Sequence, residues 1–206
     1  MEENVSRKPR GREIFSKYKK IISLFVAYYK LFPLKKRIKL LVKHRNSRGK
    51  IGLGIRYALL KSIAKSCGDN VSVFEGVFLL NPQNLSVGNN VSIQPLCYIE
   101  CGNDENGGLI IEDDVSIAHG VTVMTTTHTY EDESLPIKDQ PVVSKKVVIK
   151  NNVWIGAKAT ILAGNTVNSG SIVGAAAVVT KDVPENSIVA GVPAKVIKTR
   201  NTEHSV

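Results

Sequence analysis

From Cys67 onward, aliphatic residues return at every sixth position. The segments VGNNVS (87–92), IEDDVS (111–116), IKNNVW (149–154), IGAKAT (155–160) and VGAAAV (173–178) are variants of one unit. Its leading positions form five triplets: Cys67, Val73, Leu79; Val87, Ile93, Ile99; Ile111, Ile117, Val123; Ile149, Ile155, Ile161; and Val167, Val173, Val179. A period of six is neither the 3.6 of a helix nor the 2 of a half-buried strand, and predicts short strand, turn, short strand, turn. Three units per turn of a triangular coil place each leading aliphatic over its equivalent one coil earlier, so the coils stack into parallel sheets around a narrow apolar core. The fold class expected is all-β, a parallel β-helix of about five coils. The count breaks at 79 to 87, 99 to 111 and 123 to 149, each time after the third member of a triplet, so every insertion should leave from one corner. The largest insertion is expected over 129–148, directly after His128, which closes the hexapeptide Val123 to His128.

Ahead of the repeats the pattern is helical from Glu13 to Ser62, with breaks at Phe32-Pro33 and around Asn46 to Gly49. Ile21, Leu24, Phe25 and Tyr28 share one helical face, as do Leu34, Ile38 and Leu41 in the next piece. Lys and Arg fill the other sides. Such helices can pack on the rest of the protein or lie in an anionic membrane interface, and the pattern leaves both open. The organisation expected is a basic helical extension over 1–65, a repeat domain over 66–200 and a tail over 201–206.

Charge sharpens this division. Residues 1–65 carry 19 Lys and Arg against three acids, a net of +16, while residues 66–206 carry nine against fifteen, a net of −6. No nucleic-acid module accompanies the basic half, so nucleic acid is not expected as a partner. The apolar run Ile21 to Tyr29 is far short of the ~20 residues that span a bilayer, and the start has no apolar run beside its charges. Three cysteines without paired spacing support neither a disulfide framework nor a zinc ribbon. A cytoplasmic protein is expected, with peripheral contact at the inner face of the membrane open to its basic region.

TTTHTY (125–130), NNVWIGAKATILAG (151–164), VGAAAVVTKDVP (173–184) and AGVPAKVI (190–197) give the repeat region a closer likeness. Residues 66–200 resemble the hexapeptide-repeat acyltransferases, within them the O-acetyltransferases of maltose, galactosides, nodulation factors and capsule or O-antigen. The resemblance implies a left-handed coil, a homotrimer with active sites shared between neighbours, and acetyl transfer from acetyl-CoA to a hydroxyl of a sugar or surface-polysaccharide precursor. No metal is implied.

It also implies roles. His128 takes the family's catalytic position, where a side chain with an unperturbed pKa of ~6.5 suits removal of the hydroxyl proton. The backbone N–H of Ala157 takes that of the oxyanion donor. Trp154, Ala157, Ala175, Thr180, Lys181, Lys195 and Lys198 match coenzyme A positions, with Lys195 and Lys198 standing where sugar acetyltransferases carry Arg. Gln94 stands where the galactoside enzymes present an Asn to the sugar, and the stretch from Cys101 to Gly108 replaces their paired Asp, so a different acceptor is expected. The group orienting His128 is left open, since Glu131, Asp132 and Glu133 all lie near in sequence. Cys67 and Cys97 fall on inward-facing positions and Cys101 has no assigned His beside it, so no covalent acetyl-enzyme is indicated.

Three rival readings stand beside this one. A three-His zinc enzyme on the same coil is disfavoured, because within the repeats only His119 and His128 occur. His119 reads as structural or exposed. A non-enzymatic scaffold predicts no coenzyme A binding. An antibiotic acceptor differs from a sugar in nothing the sequence displays.

Overall fold

The computed structural model describes residues 12–104 and 107–200. The tail 201–206 with His204, and the first eleven residues of the basic region, lie outside the described residues.

The six-residue period becomes three parallel sheets. Sheet A stacks Ser66–Cys67, Leu85–Val87, Leu109–Ile111, Val147–Ile149 and Thr166–Val167. Sheet B stacks Ser72–Val73, Ser92–Ile93, Ser116–Ile117, Trp154–Ile155, Ile172–Val173 and Ser187–Ala190, and its last edge is covered antiparallel by Lys195–Thr199. Sheet C stacks Phe78–Leu80, Tyr98–Glu100, Thr122–Val123, Thr160–Ile161 and Val178–Val179. The leading aliphatics are in register from coil to coil: Val87 with Ile111, Ile93 with Ile117, Ile99 with Val123 and Ile155 with Val173. All fifteen are buried except Cys67 and Leu79 in the first coil, which are half-buried. Five full coils are followed by a partial sixth, in which Val183 bridges to Val167 and Val189 pairs with Val173.

Two corners have their own chemistry. Between sheets A and B, Asn70, Asn90, Asp114 and Asn152 adopt positive φ, which a short polar side chain tolerates better than others. Asn70 donates to Asn90 at 3.1 Å and Asn90 to Asp114 at 3.1 Å, so the turns are laced along the coil axis. Between sheets B and C the left-handed residues are Gly76, Leu96, Gly120, Lys158 and Ala176.

All three breaks in the repeat leave sheet C and return to sheet A, so one corner does carry every insertion. The largest departs earlier than its expected start at Thr129. Met124 N–H still bonds the next coil, at the Ile161 carbonyl, but Thr125 and Thr126 turn their N–H groups to the Glu100 carboxylate instead. The strand Thr126–His128 therefore runs out of the coil and pairs antiparallel with Val142–Ser144, His128 opposite Val142.

Helices α1 (Arg12–Lys30), α2 (Leu34–Lys43) and α3 (Gly49–Ile63) follow the expected breaks. Tyr57 and Leu60 of α3 enter the coil's own core, joined by the half-buried Phe15 and Ile22 of α1. Arg56 is fully buried and donates to the carbonyls of Val73, His44 and Arg45, tying the turn after α2 to the first coil. Burial lowers its pKa from the ordinary value. The apolar face expected on α1 is not the one that packs. Ile21, Leu24, Phe25 and Tyr28 are each half-exposed or more, Leu24 to 71%, while Phe15, Ile22 and Tyr29 turn inward.

Candidate active site

Side chains at the corner between B and C line up in columns because each turn hydrogen-bonds the next. Lys158 N–H donates to the His119 carbonyl and Ala176 N–H to the Ala157 carbonyl, so His119, Ala157 and Ala175 are equivalent positions on successive coils. Gln94, Ala118, Gly156 and Gly174 form the adjacent column, through bonds to Ile117, Ile155, Val173 and Val189. The Ala157 N–H makes no hydrogen bond among the described residues, and the same holds for His119 and Ala175. A free donor is thus a property of this corner, available at Ala157 without any particular side chain.

The coenzyme A candidates divide into two groups. Trp154, 54% exposed, is paired with Ile172, Ile172 with Ile188 and Ile188 with Lys198, one row across sheet B that spans three strand spacings, roughly 14 Å. Lys195 is paired with Ala190, beside the Ala175 turn, since a Cβ built at Gly174 would meet the Ala190 Cβ at 3.0 Å. A Cβ at Gly156 would come within 2.6 Å of the Ala175 nitrogen. The structure therefore brings together Trp154, Ala157, Ala175, Lys195 and Lys198 along a strip of small residues with cations at its end, which fits a narrow pantetheine arm and its phosphates. Thr180 and Lys181 are not in that strip. They follow Val178–Val179 on the far side of sheet C, stacked beyond Leu162 and Met124 at the corner from which the hairpin leaves.

His128 stands on that same far side, exposed, on the outgoing strand of the hairpin. Its Nδ1 lies 3.3 Å from the Gln140 carbonyl oxygen. A carbonyl only accepts, so the contact forms with the proton on Nδ1 and leaves the Nε2 lone pair free, the tautomer a general base needs. Two of the three acids nearby in sequence do other work. Asp132 accepts from the Ser134 N–H and hydroxyl, Glu131 from the Tyr130 N–H, and these bonds hold both carboxyls below their usual range.

Two residues missed by the sequence reading organise this region. Gln140, 5% exposed, donates to the carbonyls of Asp132 and Leu135 and accepts from the Asp132 N–H, cinching the hairpin loop. Nothing in its neighbourhood marks it. Glu100 carries a signal that the repeat count passes over, as an acid ending an apolar strand at the insertion corner.

The thiols are withdrawn from chemistry. Burial pushes those of Cys67 and Cys101 up to about 12 and raises that of Cys97. Among the described residues no group of three or more His, Cys, Asp or Glu is placed to hold a metal, and no helix is long and apolar enough to cross a membrane. A separate groove of about 670 Å³ between α1 and α3, lined by Phe15, Ile21, Phe25, Ile51, Leu53 and Tyr57 among others, contains none of the candidate residues.

Stacked hexapeptides around an aliphatic interior, with a His on a hairpin at the insertion corner, define a hexapeptide-repeat β-helix protein. No family model matches the chain. Galactoside O-acetyltransferase of Escherichia coli (strain K12) is 34% identical over 146 residues, 71% of this chain and 69% of that protein. The putative lipopolysaccharide biosynthesis O-acetyl transferase WbbJ of the same strain is 30% identical over 152 residues, 74% of this chain and 69% of that protein. Among solved structures, a galactoside acetyltransferase in complex with coenzyme A superimposes with a TM-score of 0.70 at 28% identity, covering 86% of this chain and 84% of that one. The chain belongs to the hexapeptide-repeat, left-handed β-helix acetyltransferases of the galactoside and maltose O-acetyltransferase kind. It is an acetyltransferase.

Proposed function

We propose that the protein moves an acetyl group from acetyl-CoA to a hydroxyl of a sugar or surface-polysaccharide precursor, with His128 as general base. The observation that carries this is the His128 contact with the Gln140 carbonyl, which leaves Nε2 as the acceptor. Nε2 takes the hydroxyl proton as the oxygen attacks the thioester carbonyl, and later returns it to the departing sulfur. The Ala157 N–H faces the oxygen that gains charge, a donor worth about 3 kcal/mol in comparable sites. Trp154, Ala157, Ala175, Lys195 and Lys198 of one copy hold the donor, Thr180 and Lys181 meet it from a neighbouring copy, and Gln94 faces the acceptor. The coenzyme A complex of the galactoside enzyme supports the donor, and the lipopolysaccharide-biosynthesis relative supports the acceptor class.

A homotrimer belongs to this reading. His128 lies across sheet C from Trp154 and Ala157, and among the described residues no hydrogen bond joins them. The hairpin also exposes Tyr130, Leu135, Ile137 and Val142, an apolar surface that a neighbouring copy would cover. The helical extension over residues 1–65 packs α3 and one face of α1 on the coil over 66–200, and the other, basic and apolar-striped face of α1 reaches an anionic membrane surface at the cytoplasmic face.

The test is thiol release from acetyl-CoA against a panel of sugar nucleotides, lipid-linked glycans and hydroxylated antibiotics. Acetylation of a glycan hydroxyl is expected. Acetylation of antibiotics alone overturns the acceptor, and failure to bind coenzyme A overturns the donor.

A further inference from the structure

Glu100 ends its sheet C strand, is 6% exposed, and has no Lys, Arg or His paired with it among the described residues. A buried carboxylate without a cation is costly to keep unless hydrogen bonds fill its lone pairs. Here they come from one place. Oε2 accepts the N–H groups of Thr125 at 2.9 Å and Thr126 at 3.2 Å, and Oε1 accepts the Thr126 hydroxyl at 2.8 Å.

These two residues are where the chain abandons the coil. Met124 makes the last bond to the next coil, and the Thr125 carbonyl already accepts Lys145 N–H, at 2.7 Å, from the returning strand. Left alone, the buried Thr125 N–H and the half-buried Thr126 N–H would lack a protein partner or would continue the coil. The carboxylate gives them a third course and sets the direction in which Thr126–His128 leaves. His128 is two residues beyond the second bond, held at its other end by Gln140. It is pinned from both sides, by a carbonyl on the ring and a carboxylate at the base of its strand.

We propose that Glu100 is a positioning residue for His128, fixing the exit and register of the hairpin that presents the imidazole. This rests on His128 acting as the base. Glu100 is buried, with both oxygens engaged by Thr125 and Thr126, so its effect is expected to pass through the strand that carries His128.

The experiment is a double-mutant cycle of Glu100→Ala with His128→Ala, read as thiol release from acetyl-CoA with the acceptor that gives the highest rate, or with water where none does. Glu100→Ala alone should lower kcat roughly 30- to 100-fold, the scale of a misplacement of about 1 Å, with the acetyl-CoA KM within about twofold. In the His128→Ala background it should change the residual rate less than about twofold. Glu100→Gln, whose amide oxygen can still accept the N–H groups while its NH₂ donates to the Thr126 hydroxyl, should recover most of the rate. Glu100→Ala near wild-type turnover beside an inactive His128→Ala enzyme sinks this proposal alone, as does an equal loss in both backgrounds. His128→Ala at wild-type turnover sinks the base assignment and this proposal with it. Should Glu100→Ala no longer bind coenzyme A, Thr126→Val decides, with an expected loss of about 3- to 10-fold that vanishes beside His128→Ala. An unchanged rate in that variant overturns the idea.

Discussion

The imidazole Nδ1 of His128 and the backbone carbonyl of Gln140 stand 3.3 Å apart, a contact between the two strands of the hairpin that fixes a tautomer without using an acid. An acidic partner would stabilise the imidazolium as well as orient the ring. A carbonyl dipole orients it with a smaller electrostatic bias, which suits a base that must give its proton up again within the same turnover.

Replacing His128 by Ala or Asn should lower turnover by roughly 10² to 10⁴ while leaving assembly and coenzyme A affinity nearly intact. His119→Ala should lower it far less, because the role His119 plays in the coil is made by its backbone carbonyl, to Lys158 N–H. Steady-state kinetics on the two variants, with coenzyme A binding by calorimetry, check the contrast. Comparable losses in both would contradict the assignment.

Gln140→Ala removes three side-chain bonds within the loop but leaves the carbonyl that faces His128. Turnover should fall about tenfold through looser placement of that carbonyl. Amide exchange over residues 129–141 should quicken, with the coil amides unchanged. Equal quickening throughout would mean that Gln140 supports the fold and not the loop.

The coil is legible in the sequence because its signal is one-dimensional: Ile93, Ile117 and Ile155 each lead a hexapeptide, and parallel stacking needs nothing further to bring them together. The hairpin is legible only in outline. The aliphatic count runs out at Thr129, whereas the chain is turned at Thr126 by Glu100, a contact across 26 residues that no local pattern encodes. The orienting group is invisible for a different reason, since a backbone carbonyl is present at every residue. On α1 the periodicity locates the helix but not its buried side, because Phe15, Ile22 and Tyr29 form a second apolar face beside the one formed by Ile21, Phe25 and Tyr28.

The thiols should be inert in the native protein. With the Cys67 and Cys101 pKa pushed to about 12 by burial, only roughly one thiol in ten thousand is thiolate at pH 8. Iodoacetamide at that pH should leave the native enzyme unlabelled and active, and label all three cysteines in urea. Kinetics should be sequential. An acetyl-cysteine adduct accumulating by mass spectrometry would replace direct attack by a covalent route.

Asp69 ties the helices to the first coil, accepting from Lys19 of α1 at 2.6 Å and Lys61 of α3 at 2.7 Å. The Lys19 bond first, then that from Lys61, lowers its pKa. A carboxylate whose folded pKa is depressed contributes stability that is complete above the ordinary value of 3.8 and fades as the pH falls below it. The site is more than a third exposed, so water screens the effect. Asp69→Asn should therefore lower Tm slightly at pH 7 and not at all at the acid end of the range. A loss independent of pH would mean that the charge of Asp69 is not what ties the helices to the coil, since the backbone N–H bond from residue 69 to Asn89 survives the substitution.

The exposed stripe of α1 should bind anionic vesicles through the helix and not through the coil. Leu24 and Phe25 are exposed beside Lys17 and Lys20, and α2 adds Lys35, Lys36, Lys39 and Lys43 with no acid in its sequence. Basic residues near such a surface contribute ~1 kcal/mol each, screened beyond ~10 Å at 0.1 M salt, so binding should fall steeply as salt is raised. Sedimentation of the full chain with phosphatidylglycerol vesicles should exceed that with phosphatidylcholine vesicles, and Leu24→Ser with Phe25→Ser should remove most of the difference. Those substitutions touch none of the residues around His128, so turnover on a soluble acceptor should stay within about twofold. If they leave vesicle binding unchanged but alter the mass by light scattering, the stripe is a contact between copies of the chain and the membrane reading fails.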